Sequence, residues 1–185
     1  MDEGVDLKAL HDAICAAIAA QFPALRTVEA YREEVERTTL ATPACLVELF
    51  ELEASAENDP GTEQLAMMAR FEARLVLGYR EADAKIEARR LAAAVAQFVL
   101  RQNWGLGPSV DRAAVLGCYP DDFDPRLDQY EVMRVEWEQL IRVGTDVWSG
   151  EGVPVTDVRY SWVPRVGLPF EAEYRPLDGP APVTE

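Results

Sequence analysis

Residues 127–143 read LDQYEVMRVEWEQLIRV, a stretch without Gly or Pro in which apolar and charged residues alternate. Alternation with a period of two is typical of a β-strand that has one dry face and one wet face. Strands commonly have about 5–6 residues, so a strand of this length is expected to project beyond a small sheet. A projecting strand exposes unpaired backbone groups, which proteins either cover or use for assembly. The segment therefore predicts an assembly edge whose apolar face buries Met133, Val135 and Trp137.

The rest of the chain predicts an α+β fold. Asp6 precedes an apolar stripe at helical spacing and is expected to cap a first helix, which Pro23 ends. A second helical pattern begins with acidic residues, and Gly105 and Gly107 follow its end. We expect an antiparallel sheet with two helices packed on one face and with long protruding strands. The predicted helices are residues 7–22 and 82–102, and the predicted strands are residues 25–35, 44–52, 64–79, 113–118, 127–143 and 155–163.

Length and proline content predict one domain followed by an arm. A chain of 185 residues fits a single domain that buries about 70% of its unfolded surface. Five of the 12 prolines fall in residues 164–185, and such a composition favours an extended chain. We expect an α+β domain over residues 1–163 and an extended C-terminal arm over residues 164–185.

The charge balance argues against nucleic-acid binding. The chain has 18 basic and 33 acidic residues, a formal charge of −15, whereas affinity for DNA depends on neutralising phosphates. There is no apolar run of about 18 residues, and the acidic start MDEGVD is unlike a secretory signal. A cytoplasmic site of synthesis is therefore expected. Cys15, Cys45 and Cys118 lack metal-site spacing and are interpreted as buried, reduced thiols.

The sequence singles out no catalytic, metal or cofactor site, although it has carboxylates enough that a catalytic pair stays open. His11 is the only histidine and is predicted on the solvated side of the first helix. The spacing of Asp121, Asp122 and Asp124 could suit a hard cation. These residues lack the glycine and distal glutamate of an EF-hand, and Pro125 beside them favours a turn.

Two tryptophans and one loop are candidate contact sites. Trp148 and Trp162 flank a break in the predicted sheet, where each could anchor an interface or cap the edge of the core. Residues 55–62 (SAENDPGT) have turn chemistry throughout. They join the second and third strands, and the tip of such a long loop is expected to be mobile or docked on a partner.

Several segments taken in order carry a family resemblance. They are the first helix with its Phe22-Pro23 end, the hairpin segments ACLVELFELEA and MARFEARLVLGYR, the helix ARRLAAAVAQFV, Trp104 with the segment AAVLGCYPDDF, and the strand EVMRVEWEQLIRVGTDVW. This order resembles that of the tail terminator (tail completion) proteins of long-tailed bacteriophages, including the Mu-like ones. The resemblance covers roughly residues 5–165 and lies in the pattern of elements, without a catalytic motif.

The resemblance implies a subunit that assembles into a homohexameric ring at the head-proximal end of the tail tube. Such a ring stops tube growth and joins the tube to the head. The implied partners are further copies of the chain, the tail tube protein and a connector or stopper protein, with DNA passing through without specific binding, no cofactor, and a location in the virion neck. The expected subunit-interface residues are Arg134, Glu136, Glu138, Trp148 and Trp162, and the expected tube-contact residues are Asn58, Asp59, Pro60 and Gly61.

Two other interpretations stay open from the sequence. The chain could be a different neck or tube component, such as a stopper or the tube subunit itself. It could also be a small cytoplasmic α+β enzyme or binding domain that uses carboxylates. Closed rings would separate a terminator from a tube subunit, which polymerises without limit, and a gene position among capsid and tail genes would argue against the enzyme.

Overall fold

The computed structural model describes residues 4–31, 40–78, 83–121, 130–148 and 158–177 of the chain. The chain divides into two compact units, Met1–Ser149 and Gly150–Glu185, so the predicted boundary after residue 163 falls within the second unit. The fold is α+β, as predicted. The elements of the first unit are helices α1 (Leu7–Gln21) and α2 (Ala84–Val99) and strands β1 (Thr27–Ala30), β2 (Ala44–Ala54), β3 (Leu65–Gly78), β4 (Ala114–Pro120) and β5 (Tyr130–Val143).

Both helices pack on the same face of the sheet, which confirms that part of the prediction. The Asp6 carboxylate caps α1 by accepting hydrogen bonds from the first backbone N–H groups at 2.7 and 3.1 Å. α2 ends at Val99, earlier than predicted, and Gly105 and Gly107 lie in the segment after it with φ angles of 74° and 65°, a region that favours glycine. One core cluster unites the helices with the sheet; its helical members are Leu10, Ile14, Ile18, Ala88, Ala92, Val95 and Val99, and its sheet members include Phe71 and Trp137.

The five strands form one mixed sheet in the order β1-β2-β3-β5-β4. The pairs β2–β3, β3–β5 and β4–β5 are antiparallel. β1 runs parallel to β2, with Thr27 opposite Ala44 and Ala30 opposite Val47, so the prediction of an antiparallel sheet is wrong for this strand. A parallel pair needs a connection long enough to return to the same end of the sheet. β1 covers Thr27–Ala30 of the predicted strand 25–35, and residues 32–35 of that prediction lie outside the described residues.

β5 is an interior strand, and this contradicts the prediction that it forms the assembly edge. One side pairs with β3 along the full length of both strands, which have 14 residues each. The other side pairs with β4 in its middle. Beyond β4, the Asp111 N–H donates to the Leu140 carbonyl at 2.9 Å. The N-terminal segment donates to the Arg142 and Gly144 carbonyls at 2.9 and 2.7 Å. The predicted burial of Met133, Val135 and Trp137 is confirmed.

The second unit is described over residues 158–177. Two short strands, β6 (Arg159–Tyr160) and β7 (Arg175–Pro176), pair antiparallel on either side of a 3-10 helix at Leu168–Glu173. The Gly167 N–H donates to the Tyr174 hydroxyl at 2.7 Å. None of the residues 158–177 is buried. Local hydrogen bonds, and not a core of their own, therefore hold these residues together.

Some sequence predictions concern residues that lie outside the described ranges. They include the start of the predicted 127–143 strand, most of the predicted turn at 119–125, the start of the predicted 155–163 strand and the last residues of the predicted arm. Within the described ranges, no helix is both long enough and apolar enough to span a membrane.

Candidate functional site

The face of the sheet opposite the helices carries a network of charged side chains, and we call this surface the open face. Strand residues alternate between faces, so the charged residues of β3 and β5 lie opposite the helices, beside a small apolar cluster of Ala44, Leu46, Val76 and Val132. The register brings Arg70 opposite Glu138 and Glu72 opposite Glu136 on the central strands β3 and β5. The network contains Glu48, Glu51, Glu53, Arg70, Glu72, Arg74, Asp121, Arg134, Glu136 and Glu138.

Each arginine of the open face connects carboxylates from different strands. On β3, Arg70 lies 2.6 Å from the Glu51 carboxylate of β2 and 3.5 Å from the Glu138 carboxylate of β5. Arg74 lies 3.3 Å from the Glu48 carboxylate and 3.1 Å from that of Asp121, which follows β4. These ion pairs run perpendicular to the strands, and they fix the charged side chains relative to one another.

Glu72 is the buried centre of the network. Its side chain is only 6% exposed, and it lies 2.5 Å from the Arg74 guanidinium and 3.7 Å from that of Arg134. Burial raises the pKa of the Glu72 carboxyl above its ordinary value, although the two arginines act in the opposite direction. Glu72 Oε1 and the Nε atoms of both arginines have no aligned hydrogen bond. Coulomb attraction to the two arginines therefore favours the ionised form of Glu72, and burial opposes it.

The network has a surplus of negative charge. Three guanidinium groups face seven carboxylates, which leaves four negative charges on the open face. The three arginines already have carboxylate partners within the chain, so they are poorly available to an incoming phosphate. The surface therefore repels polyanions, in keeping with the charge of −15 of the chain.

The three predicted interface residues of β5 all belong to this network. Arg134 lies 2.7 Å from Glu136, and Glu138 pairs with Arg70 of β3. Their side chains are between 20% and 32% exposed. The structure brings them together on one surface with partners inside the subunit, and their role at a subunit boundary stays a prediction.

Trp148 and the predicted tube-contact loop form one local structure. The Asp59 carboxylate accepts a hydrogen bond from the Gly61 N–H at 2.8 Å, and Asn58 donates to the Ser55 hydroxyl at 2.8 Å. The Trp148 indole N–H then donates to the Gly61 carbonyl at 2.9 Å. The indole is nevertheless 77% exposed. Two of the predicted contact sites are therefore adjacent, and the indole is held in a fixed orientation in solvent.

Trp162 lies in the second unit and is 79% exposed. It contacts the Tyr160 ring edge to face, with the ring centroids 6.3 Å apart. Neither Trp148 nor Trp162 belongs to the hydrophobic core, so the alternative that they cap the edge of the core is wrong for both. Trp137 is fully buried, as predicted, and it stacks on Phe71.

The remaining candidates from the sequence are His11 and the aspartates Asp121, Asp122 and Asp124, and none of them forms a reactive site among the described residues. His11 is half-buried, with Nε2 3.0 Å from the Val47 carbonyl oxygen, which contradicts the predicted solvated position. Asp121 belongs to the open-face network, whereas Asp122 and Asp124 lie outside the described residues. Within the described ranges, no three His, Cys, Asp or Glu residues are grouped so that they could hold a metal ion.

The cysteines differ from one another more than the sequence suggested. Cys45 is buried, and desolvation raises the pKa of its thiol to about 12. Cys15 is half-buried, and desolvation raises the pKa of that thiol to about 11. Cys118 is exposed on β4, so the prediction that all three thiols are buried is wrong for this one. It is the most exposed of the three cysteines.

The sequence patterns missed Gln139, a polar residue that is 1% exposed in the core. Its side-chain carbonyl accepts hydrogen bonds from the indole N–H groups of Trp104 (2.7 Å) and Trp137 (3.2 Å). Its amide donates to the Gln102 and Asp111 carbonyls, both at 2.9 Å. Gln139 occupies a position of β5 where the alternation requires an apolar residue, and that break in the pattern was the available signal.

Comparison with known proteins leaves the family open. A scan against models of protein families finds no match for this chain, and a search of curated proteins finds none either.

Proposed function

We propose that the chain is a structural virion protein of a long-tailed bacteriophage, a tail terminator that forms a ring between the tail tube and the head connector. The order of elements resembles that family. The observation that carries the proposal is the open face, a broad surface of three long strands whose arginines are already paired and whose net charge is negative.

Such a surface suits the wall of a channel through which DNA passes. Duplex DNA carries a dense row of phosphates, and a wall with free arginines or lysines would retain it. A wall with surplus carboxylates repels the phosphates at short range, and DNA slides past without specific contacts. A ring of six subunits, each with a formal charge of −15, would carry −90 in total.

The loop beside Trp148 is then available for a contact with the tube. An aromatic side chain that is exposed yet fixed in orientation loses little conformational entropy on binding, which is typical of interface anchors. The subunits would assemble in the host cytoplasm and end in the neck of the virion.

Mass photometry and negative-stain electron microscopy of the purified full chain test the proposal, first alone and then with the tail tube protein. The expected result is closed rings with a central channel, together with tubes that stop growing when the chain is added. A chain that stays monomeric with tube protein present, and that leaves tube length unchanged, would refute it. Open filaments of the chain alone would indicate a tube subunit instead.

A further inference from the structure

The sheet has two unpaired edges, and they are of equal length. β1 covers β2 only from Ala44 to Val47, so the outer backbone groups of residues 48–54 have no partner among the described residues. At the other end of the sheet, the seven residues of β4 pair with β5 on one side only. We call these the β2 edge and the β4 edge.

Each edge also exposes apolar side chains. On the β2 edge, Phe50 is 45% exposed and Leu52 is 38% exposed. On the β4 edge, Leu116 is 45% exposed and Tyr119 is 44% exposed. Unpaired backbone with exposed apolar side chains is the combination that pairs with another strand in water.

The surroundings of the two edges have opposite charge. The β2 edge carries Glu48, Glu51 and Glu53, which point to the open face and outnumber their arginine partners. At the other end, α2 packs against β4, with the Cys118 thiol 3.8 Å from the Ala92 carbonyl. Lys85 and Arg89 lie seven and three residues before Ala92, on the same side of the helix.

Arg112 adds a further positive charge immediately before β4. Neither it nor Lys85 nor Arg89 forms an ion pair with an acidic side chain within the described ranges. Among the described residues, the basic groups without an acidic partner near the β4 edge are therefore Lys85, Arg89 and Arg112, whereas Asp121 at the end of β4 is paired with Arg74.

We propose that the β4 edge of one copy of this chain pairs with the β2 edge of the next copy, so that the sheet continues from subunit to subunit. The inference rests on the proposed function, because it specifies the boundary from which the ring would be built. It also replaces the interior strand β5, which the sequence predicted as the boundary. The occupant of each edge is a second copy of the same chain.

Charge favours this head-to-tail arrangement over pairing of identical edges. Two β2 edges would bring glutamates against glutamates, and two β4 edges would bring Arg112, Lys85 and Arg89 against their own copies. Pairing of unlike edges avoids both repulsions. The glutamates lie on the open face and Lys85 and Arg89 lie on the helix face, so they attract one another only at long range. A head-to-tail contact closes into a ring when its rotation permits, whereas pairing of like edges stops at a dimer.

Disulfide trapping tests the pairing, because Cys118 is an exposed residue that already lies on the β4 edge. A second cysteine is introduced on the β2 edge in three separate variants, Phe50→Cys, Leu52→Cys and Ala54→Cys, so that any register is sampled. The full chain is oxidised with copper-phenanthroline, and the products are separated on a non-reducing gel. Each variant is also made with Cys118→Ser. A matched control, Ala16→Cys, lies on the exposed side of α1, away from the β4 edge.

At least one edge variant is expected to form a ladder of covalent oligomers at least tenfold faster than Ala16→Cys, and the ladder is expected to disappear with Cys118→Ser. Raising the salt concentration should slow trapping several-fold, because it screens the opposite charges. The wild type could instead form dimers through a disulfide between two copies of Cys118. If it does so as fast as the variants form their oligomers, two β4 edges pair with each other and the proposal is overturned. No ladder above the control in any variant would overturn it as well.

Mass photometry of the same samples before oxidation separates this inference from the proposed function. Rings without trapping mean that the ring uses another surface, so the edge inference fails and the terminator proposal stands. Trapping of open filaments supports the edge pairing and contradicts the terminator. Monomers without trapping overturn the edge inference, and the experiment with tube protein then decides the terminator proposal. Circular dichroism of each variant establishes that it is folded before the comparison is made.

Discussion

Gln139 allows the sharpest test of how the domain is held together. Its side chain makes four hydrogen bonds, which is the full capacity of a primary amide with two donors and two lone pairs. The partners come from the segment after α2, the segment before β4 and β5 itself. The substitution Gln139→Met preserves the length and flexibility of the side chain but removes all four bonds.

The expected loss of unfolding free energy follows from the number of hydrogen bonds that the substitution removes. Each contributes a net of about 0.5–1.5 kcal/mol, so Gln139→Met is expected to lower the free energy of unfolding by about 2–6 kcal/mol. The upper part of that range applies if both indole N–H groups stay buried without acceptors. A small domain commonly has about 5–15 kcal/mol of stability in total, so the loss would be large.

Urea unfolding followed by far-UV circular dichroism and by tryptophan fluorescence measures this loss. Trp104 and Trp137 both donate hydrogen bonds to Gln139, so their fluorescence emission should also change in the folded variant. Gln97→Met, on the exposed side of α2, is the matched control and should be neutral within about 0.5 kcal/mol. If Gln139→Met is as stable as Gln97→Met, the four hydrogen bonds of Gln139 do not hold the segments before β4 and after α2 against β5.

Three further predictions concern other parts of the molecule. Burial raises the pKa of Glu72, so its contribution to stability is fully present below its ordinary value of 4.5 and is lost as the pH rises through the higher folded value. Urea unfolding between pH 4 and 7 should therefore show wild type losing stability relative to Glu72→Gln as the pH rises, and a constant difference would contradict this. A side chain at Gly4 would overlap the carbonyl of Gly144, so Gly4→Ala should lower the free energy of unfolding by about 1–3 kcal/mol, as measured by thermal unfolding; unchanged stability would mean that the N-terminal segment does not cover β5. Cys118 should react with a maleimide at least tenfold faster than Cys45 in the folded protein, as peptide mass mapping would measure, because burial raises the pKa of Cys45 to about 12 and excludes the reagent; equal rates would contradict the burial of Cys45.

Helices and strands were predictable from the sequence because their signals are local. The Asp6 cap, the apolar stripe of α1 and the alternation along β3 and β5 depend on neighbouring residues only. The predicted element order and the α+β class agree with the structure for that reason. The predicted burial of Trp137 follows from the same alternation.

The arrangement of the strands was not predictable, because pairing joins residues far apart in the chain. Alternation in β5 gives its two faces but does not identify its neighbours, so an interior strand and an edge strand have the same pattern. The same holds for β1, whose direction depends on how the chain returns to β2. The charged residues of the open face were recognised individually, but their ion pairs depend on the register between strands.

The open face has a consequence for the behaviour of the protein at high concentration. Stacking two such faces would strip water from five partly exposed carboxylates and three guanidinium groups on each copy, at a cost that new contacts between like charges could not offset. The face therefore resists collapse against another sheet, while the edges of the sheet stay free to pair. Crowded copies of the chain are therefore expected to be kept from layered aggregates.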